Sequence, residues 1–258
     1  MAAKRNREGL MSLGGHLKEL RNRLIKVALF ITAGSVVGWM VFDQVFQALQ
    51  RPVVELAKLR NSSTTINFGS VVSAFDLRMQ VSIFLGVVIT SPLWLFQLWR
   101  FITPALKTKE RRYTIGFLAA AVPLFLAGCT LAWFAFPTFV SSLLGFTPQG
   151  SANVINASEY ILFALRVLLV FGLAFVLPVF LVMLNFIGII SAKSILKGWR
   201  IAIISAALIA ALATPVSDPM SMLLMMVPLL ALYYLSAGIA VLRDKATARK
   251  NAVDLAAI

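Results

Sequence analysis

Two carboxylates are the side chains of this sequence best suited to bind a ligand. Glu19 is surrounded by Lys18, Arg21 and Arg23, and Glu110 comes directly before a pair of arginines in a second basic segment. A guanidinium group binds a carboxylate through two parallel hydrogen bonds, which gives geometric selectivity as well as energy. Two such carboxylates on one face could therefore bind a pair of arginines. In the alternative interpretation, Glu19 pairs with Arg23 one helical turn away, for about 0.2–0.5 kcal/mol, and Glu110 forms a surface ion pair.

The sequence offers little else that could carry out a reaction. It has one cysteine, Cys129, and one histidine, His16, which are too few for a Cys/His zinc cluster, and the common hydrolase, metalloprotease and nucleotide-binding motifs are missing. Arg166 is the clearest ionisable residue inside an apolar run, and we interpret it as a snorkelling residue or as a partner of Glu159. We therefore predict no enzyme activity, no metal and no cofactor.

The composition is that of an integral membrane protein. Of the 258 residues, 60% are hydrophobic and 13% are charged, against about 45–50% and about 25% in soluble domains. The apolar residues are concentrated in blocks, and a helix needs about 20 of them to cross the hydrocarbon core. The formal net charge of +14 fits basic cytoplasmic loops of a membrane protein better than a nucleic-acid-binding surface.

Six apolar runs predict an all-α membrane protein, a six-span helical bundle. Residues 1–23 are the predicted cytoplasmic N-terminus, residues 24–242 the transmembrane domain and residues 243–258 a cytoplasmic tail. The predicted spans are about 24–42, 79–98, 113–136, 161–187, 200–214 and 220–242. The fifth run is short for a bilayer. Leucines three and four residues apart between positions 10 and 24 predict an interfacial amphipathic helix that lies in the headgroup plane before the chain turns into the bilayer.

The distribution of positive charge predicts the orientation. Nineteen of the 24 Lys and Arg residues lie in the N-terminal segment, in the segments after the second and fourth runs, and in the tail. Because basic segments remain in the cytoplasm, we expect both termini on the cytoplasmic side of the cell membrane.

Proline lies inside four of the apolar runs, at Pro92, Pro123, Pro178 and Pro228. Each proline removes a helix hydrogen bond and can kink its helix. Kinked helices could line a concave face, although proline is also common in membrane helices in general.

Collinear motifs resemble the TatC family, the multi-span subunit of the twin-arginine protein translocase. Residues 16–24 read HLKELRNRL and match the family opening H-L-x-E-L-R-x-R-L. Residues 91–112 carry the family's Ser-Pro, Gln-x-Trp-x-Phe and Glu-Arg-Arg elements in the same order. Later motifs follow in sequence from Phe171 through Thr214 to Pro228. The resemblance therefore covers nearly the whole chain.

The resemblance implies a concave receptor in the cytoplasmic membrane that binds the twin-arginine signal peptides of folded export substrates. In this family, Glu19 and Glu110 would form the arginine-binding patch, with Arg21, Phe101 and Leu106 near it. The implied partners are single-span TatA-type and TatB-type proteins, with self-association in the complex and energy from the proton gradient. A six-span small-molecule transporter is the alternative function, and it would need a polar site at the midplane.

Three further residues fall on family positions for partner contact and assembly. Thr214 and Asp218 belong to an extracytoplasmic turn, and Pro52 belongs to the first outer loop. The chain departs from the family pattern at Val176, where many members carry Glu or Gln, and at Tyr234, where many carry Glu. Its extracytoplasmic turn is also one residue longer than the Thr-Pro-Pro-Asp form.

Overall fold

The computed structural model of the chain describes residues 13–59, 65–102, 111–145, 154–213 and 219–256. In these ranges the chain forms nine helices and two short strands. The helices are α1 (Leu13–Met40), α2 (Phe42–Leu59), α3 (Val71–Ile89), α4 (Ser91–Ile102), α5 (Arg111–Gly145), α6 (Ala157–Phe186), α7 (Ala192–Lys197), α8 (Trp199–Ala213) and α9 (Pro219–Ala256). The strands are β1 (Thr65–Asn67) and β2 (Val154–Asn156).

The predicted all-α membrane fold is confirmed. Within the described ranges, α1, α3, α5, α6 and α9 are long and apolar enough to cross a membrane, and α8 adds a shorter apolar helix. The 15 residues of α8 reach about 22 Å at 1.5 Å per residue, which is less than the hydrocarbon core of about 30 Å. This short helix corresponds to the short fifth run of the sequence.

α1 joins the predicted amphipathic segment and the first apolar run in one helix. Its 28 residues reach about 42 Å, which exceeds the hydrocarbon thickness by about two helical turns. The predicted turn between the two segments is absent from residues 13–40, because the helix continues through them without interruption. The basic segment that carries Glu19 is therefore held by the first span.

The second apolar run is divided at Thr90. α3 ends one residue earlier, and Thr90 donates to the carbonyl of Gly86 from both its backbone N–H, at 3.0 Å, and its hydroxyl, at 2.7 Å. Pro92 is the second residue of α4, where its missing N–H and its ring prevent α3 from continuing. The other prolines of the predicted kinks lie inside continuous helices: Pro123 in α5, Pro178 in α6 and Pro228 in α9.

Glycines allow neighbouring helices to approach closely. A Cβ atom added at Gly38 of α1 would lie 2.6 Å from the carbonyl oxygen of Ser82 in α3. One added at Gly86 of α3 would lie 2.5 Å from the hydroxyl of Ser35 in α1. Gly128 lets α5 approach α6 in the same way. Such close packing is typical of membrane helices, where van der Waals contact between backbones drives association.

α5 and α6 are antiparallel neighbours. Near the start of α5, the ring of Phe117 lies 4.8 Å from that of Phe180 near the end of α6. Further along α5, Phe136 lies 5.5 Å from Tyr160 near the start of α6. Trp99, close to the end of α4, stacks on Phe117 at 4.3 Å. The start of α5 and the ends of α4 and α6 therefore share one end of the bundle, called the basic end below.

Two further contacts bring α1 and α9 to the basic end. His16, near the start of α1, stacks on Phe101 near the end of α4, with 4.5 Å between ring centroids. Asn185 at the end of α6 donates to Asp244 in the charged extension of α9, at 3.0 Å. The basic segments of α1 and α9 thus lie at the same end as the first residues of α5 and the helix α7.

α2 covers the opposite end of the bundle. The helix is amphipathic, with Leu49 and Val53 buried and with Gln47 and Arg51 exposed. The hydroxyl of Tyr160 in α6 donates to the carbonyl of Leu49 at 2.9 Å and attaches α2 to the core. Beside it, β1 and β2 pair in parallel and connect the segments that precede α3 and α6.

Candidate functional site

A polar cluster joins the start of α1 to the end of α4 at the basic end. This α1–α4 cluster consists of His16, Glu19, Arg23, Gln97 and Phe101. The guanidinium of Arg23 donates through Nη1 to Oε1 of Gln97 at 3.3 Å. The rings of His16 and Phe101 stack with 17° between their planes. These two contacts, seven residues apart on α1 and four apart on α4, hold the two helices side by side.

The carboxylate of Glu19 is only partly engaged. Arg23 donates to its Oε1 through Nε at 3.0 Å and also through Nη2. Both side chains are largely withdrawn from solvent, with 19% of Glu19 and 13% of Arg23 exposed. The second oxygen, Oε2, is buried and has no hydrogen-bond partner among the residues that the structure describes. A buried acceptor without a donor raises the free energy of the folded protein, so this oxygen can gain from a donor supplied by a ligand.

The buried face of α4 fixes the position of Gln97 and Phe101. Leu95 and Trp99 are fully buried, and Trp99 stacks on α5. The indole N–H of Trp94 donates to the carbonyl of Val87 in α3 at 2.8 Å. Because positions four apart lie on the same face of a helix, Gln97 and Phe101 share the face that is turned toward α1.

An apolar recess of about 140 Å³ adjoins the cluster. Its walls come from α1 and α4, and the residues are Leu20, Arg23, Leu24, Val27, Trp94, Gln97, Leu98 and Phe101. The recess places aliphatic and aromatic surface next to Arg23 and Gln97, which contact each other.

The structure describes four of the eight predicted site residues. Glu19 and Phe101 lie in the α1–α4 cluster. Arg21 is exposed on α1, two positions from Glu19. Pro52 lies inside α2 at the opposite end and lines a recess of about 340 Å³ with Trp133 and other residues of α2 and α5. The remaining predicted residues lie outside the described ranges: Glu110, Leu106, Thr214 and Asp218.

The predicted ion pair between Glu19 and Arg23 is confirmed. It uses one carboxylate oxygen, and the other has no hydrogen-bond partner in the part of the chain that the structure describes. Sequence reasoning assigned no role to Gln97 or His16, although both belong to the motifs that carry the family resemblance. Spacing alone reveals neither residue, because each acts across two helices that are distant in the sequence.

The suggested pair between Arg166 and Glu159 is wrong. Both residues belong to α6, the structure forms no ion pair between them, and Arg166 is exposed on the helix surface. Seven residues along a helix separate the two Cα atoms by about 10.5 Å along the axis. The two side chains do not bridge that distance in the structure. Arg166 therefore lies on the exposed surface of α6.

Within the described ranges, no three His, Cys, Asp or Glu side chains come close enough together to hold a metal ion. The only cysteine, Cys129, is buried between α5 and α6, where its thiol donates to the carbonyl of Leu168 at 3.5 Å.

The fold and the cluster together define a multi-pass helical membrane protein. A family model described as "Sec-independent protein translocase protein (TatC)" matches residues 15–228. The Sec-independent protein translocase protein TatC of Xylanimonas cellulosilytica is 43% identical to this chain, over 94% of this chain and 88% of the relative. The protein of the same name from Rothia mucilaginosa is 40% identical, over 96% of this chain and 85% of the relative.

Solved structures agree with the sequence relatives. A crystal structure of the twin arginine translocase receptor TatC is similar with a TM-score of 0.77 and 31% identity, over 88% of this chain and 98% of that chain. The chain therefore belongs to the TatC family and is a subunit of the Sec-independent protein translocase. These relatives are protein translocase components, and none of them supports the small-molecule transporter considered from the sequence.

Proposed function

We propose that this translocase subunit is the receptor for twin-arginine signal peptides, and that Glu19 and Glu110 bind the two arginines. The observation that carries the proposal is the buried Oε2 of Glu19, which has no donor within the described ranges. An arginine side chain supplies donors that are charged and arranged as a planar fork, so it fits a fixed carboxylate better than a lysine does. Phe101 would contact the peptide beside Glu19, and Arg21 and Leu106 would border the patch.

The positive charge around the cluster makes the carboxylates necessary. Arg21 and Arg100 are exposed close to the cluster, and they repel a peptide that carries two arginines. A net attraction then depends on carboxylates that face the peptide directly. The same repulsion would disfavour basic peptides that cannot reach those carboxylates, which contributes to selectivity.

The basic end of the bundle would face the cytoplasm. The starts of α1 and α5, the α6–α8 connection and the extension of α9 hold most of the Lys and Arg residues and share this end. Positively charged segments are retained in the cytoplasm during insertion. Both termini would then be cytoplasmic, and α2 would lie on the outer side of the membrane.

The outer side would carry the contacts for assembly. Thr214 and Asp218 would belong to a turn on that side, and Pro52 would present the adjacent part of α2. TatA-type and TatB-type single-span proteins would bind there and along the bundle, with further copies of this chain in the complex. The subunit would bind and scaffold without covalent chemistry of its own, and the proton gradient would drive transport by the assembled complex.

Peptide binding to single variants tests the receptor role. The variants Glu19→Gln and Glu110→Gln keep the side-chain shape and remove the charge, and each should weaken binding of an Arg-Arg signal peptide by about 2–5 kcal/mol. The matched control is Glu55→Gln, since Glu55 is exposed on α2 at the opposite end. Unchanged binding by both Glu19→Gln and Glu110→Gln, measured on full-length protein in nanodiscs, would refute the proposal.

A further inference from the structure

We infer that Arg23 and Gln97 are positioning residues that hold the Glu19 carboxylate in the orientation required to recognise a guanidinium; this inference rests on the proposed receptor function. Arg23 lies between the two other side chains and contacts both of them. Arg23 donates to Oε1 of Glu19 and to Oε1 of Gln97, and it makes no hydrogen bond to Oε2 of Glu19.

The guanidinium of Arg23 bridges α1 and α4 with three of its nitrogen atoms. Nε and Nη2 both donate to Oε1 of Glu19, and Nη1 donates to Oε1 of Gln97. Because the guanidinium is planar, the contact with Gln97 fixes the plane of the group. The orientation of that plane determines the direction from which Nε and Nη2 donate to Oε1 of Glu19.

The free oxygen indicates that Arg23 orients Glu19 rather than blocking it. An internal arginine that competed with the signal peptide would use both carboxylate oxygens in the fork-like bidentate arrangement. Here both donors converge on Oε1, and Oε2 stays buried without a partner among the described residues. Arg23 therefore engages one oxygen of Glu19 and leaves the other available for a further hydrogen bond.

A carboxylate fixed in this way should distinguish arginine from lysine. A guanidinium gains from an acceptor held at a defined angle, because its donors are arranged in a rigid fork. An ammonium is compact and can rotate to donate to a carboxylate in any orientation. Loss of the Arg23–Gln97 bridge should therefore weaken arginine binding more than lysine binding.

The test compares binding of two fluorescent peptides, one with Arg-Arg and one with Lys-Lys, to the full-length protein in lipid nanodiscs. Gln97→Met keeps the length of the side chain and removes the acceptor for Arg23, whereas Arg23→Gln removes the bridge itself. The control, Lys26→Gln, removes one positive charge from an exposed site on the same helix. Thermal unfolding of each variant establishes that the protein is folded.

We expect Gln97→Met and Arg23→Gln each to lower the Arg-Arg over Lys-Lys preference by about three- to tenfold, with Lys26→Gln unchanged. The double variant should be no worse than Arg23→Gln, because the two residues act through one bridge. Tighter Arg-Arg binding by Arg23→Gln, or an unchanged preference in both variants, would overturn the inference. If Glu19→Gln and Glu110→Gln both retained full Arg-Arg binding, the receptor function itself would fail. If these two variants lost Arg-Arg binding while Gln97→Met and Arg23→Gln kept an unchanged preference, only the positioning role would be refuted.

Discussion

The side-chain amide of Asn185 donates a hydrogen bond to the carboxylate of Asp244 over 3.0 Å, and this bond joins the end of α6 to the extension of α9. The same carboxylate accepts from the backbone N–H of Ala192, the first residue of α7, at 2.8 Å. The intervening chain turns at Gly188, whose φ of +79° lies in the left-handed region that glycine adopts without strain. The short helix α7 is therefore fixed between two spans at the basic end.

Replacement of Asn185 should loosen this junction. Asn185 is fully buried, and its amide donates both to Asp244 and to the carbonyl of Ile190 at 3.0 Å. The variant Asn185→Ala should lower the free energy of unfolding by about 1–3 kcal/mol, since it removes two hydrogen bonds donated by a fully buried side chain. Denaturant titration in detergent micelles measures the change, with the exposed Gln44→Ala as the control. Equal stability of the two variants would contradict the assigned role.

The contact between α1 and α3 should not tolerate a side chain at Gly86. A Cβ there would lie 2.5 Å from the hydroxyl of Ser35 and 2.6 Å from the carbonyl oxygen of Ile31. We expect Gly86→Ala to destabilise the fold by about 1–3 kcal/mol through overpacking.

The matched control for Gly86 is Gly238→Ala in α9, where an added Cβ meets no atom within 4 Å. This control should be neutral, or more stable by about 0.5–1 kcal/mol because alanine favours helix. Thermal unfolding of the two variants in the same detergent gives the comparison. A Gly86→Ala protein as stable as the control would show that the two helices do not pack as closely as described.

Single cysteines can test the proposed orientation. In a Cys129→Ala background, Gln47→Cys on α2 and Thr247→Cys on the extension of α9 place thiols at exposed sites on opposite ends of the bundle. A membrane-impermeant maleimide should label position 47 in intact cells and position 247 only after the membrane is opened, because the proposed orientation places the basic end in the cytoplasm. The reverse labelling pattern would show that the protein has the opposite orientation. The cysteine-free parent measures the background labelling.

The sequence predicts the local features of the fold well. Long apolar runs specify helices of membrane-spanning length because the bilayer cannot hydrogen-bond to an open backbone. The four-residue spacing of Glu19 and Arg23 predicts their ion pair, which depends only on helix geometry. Pro92 marks the run that becomes two helices, although three other prolines leave their helices continuous.

The features that sequence reasoning missed depend on contacts between distant segments. The bridge from Arg23 to Gln97 joins residues 74 positions apart, and no periodicity reveals it. Hydropathy alone does not predict α2 as a helix, because the segment contains Pro52 and has a polar face. Both features are typical of a loop. The expected pair of Arg166 with Glu159 fails for a different reason, since residues that share a helical face need not touch across two turns.

Photocrosslinking from position 101 tests the central claim most directly. A photoreactive phenylalanine analogue in place of Phe101 preserves an aromatic ring next to Glu19, and the same analogue at Gln47 serves as the control at the opposite end. In membrane vesicles whose cytoplasmic face is outward, an Arg-Arg signal peptide should crosslink to position 101 and not to position 47. The crosslink should fall sharply with Glu19→Gln or with a Lys-Lys peptide. Equal crosslinking by the Lys-Lys peptide, or an undiminished crosslink in the Glu19→Gln protein, would contradict recognition of arginine by this carboxylate.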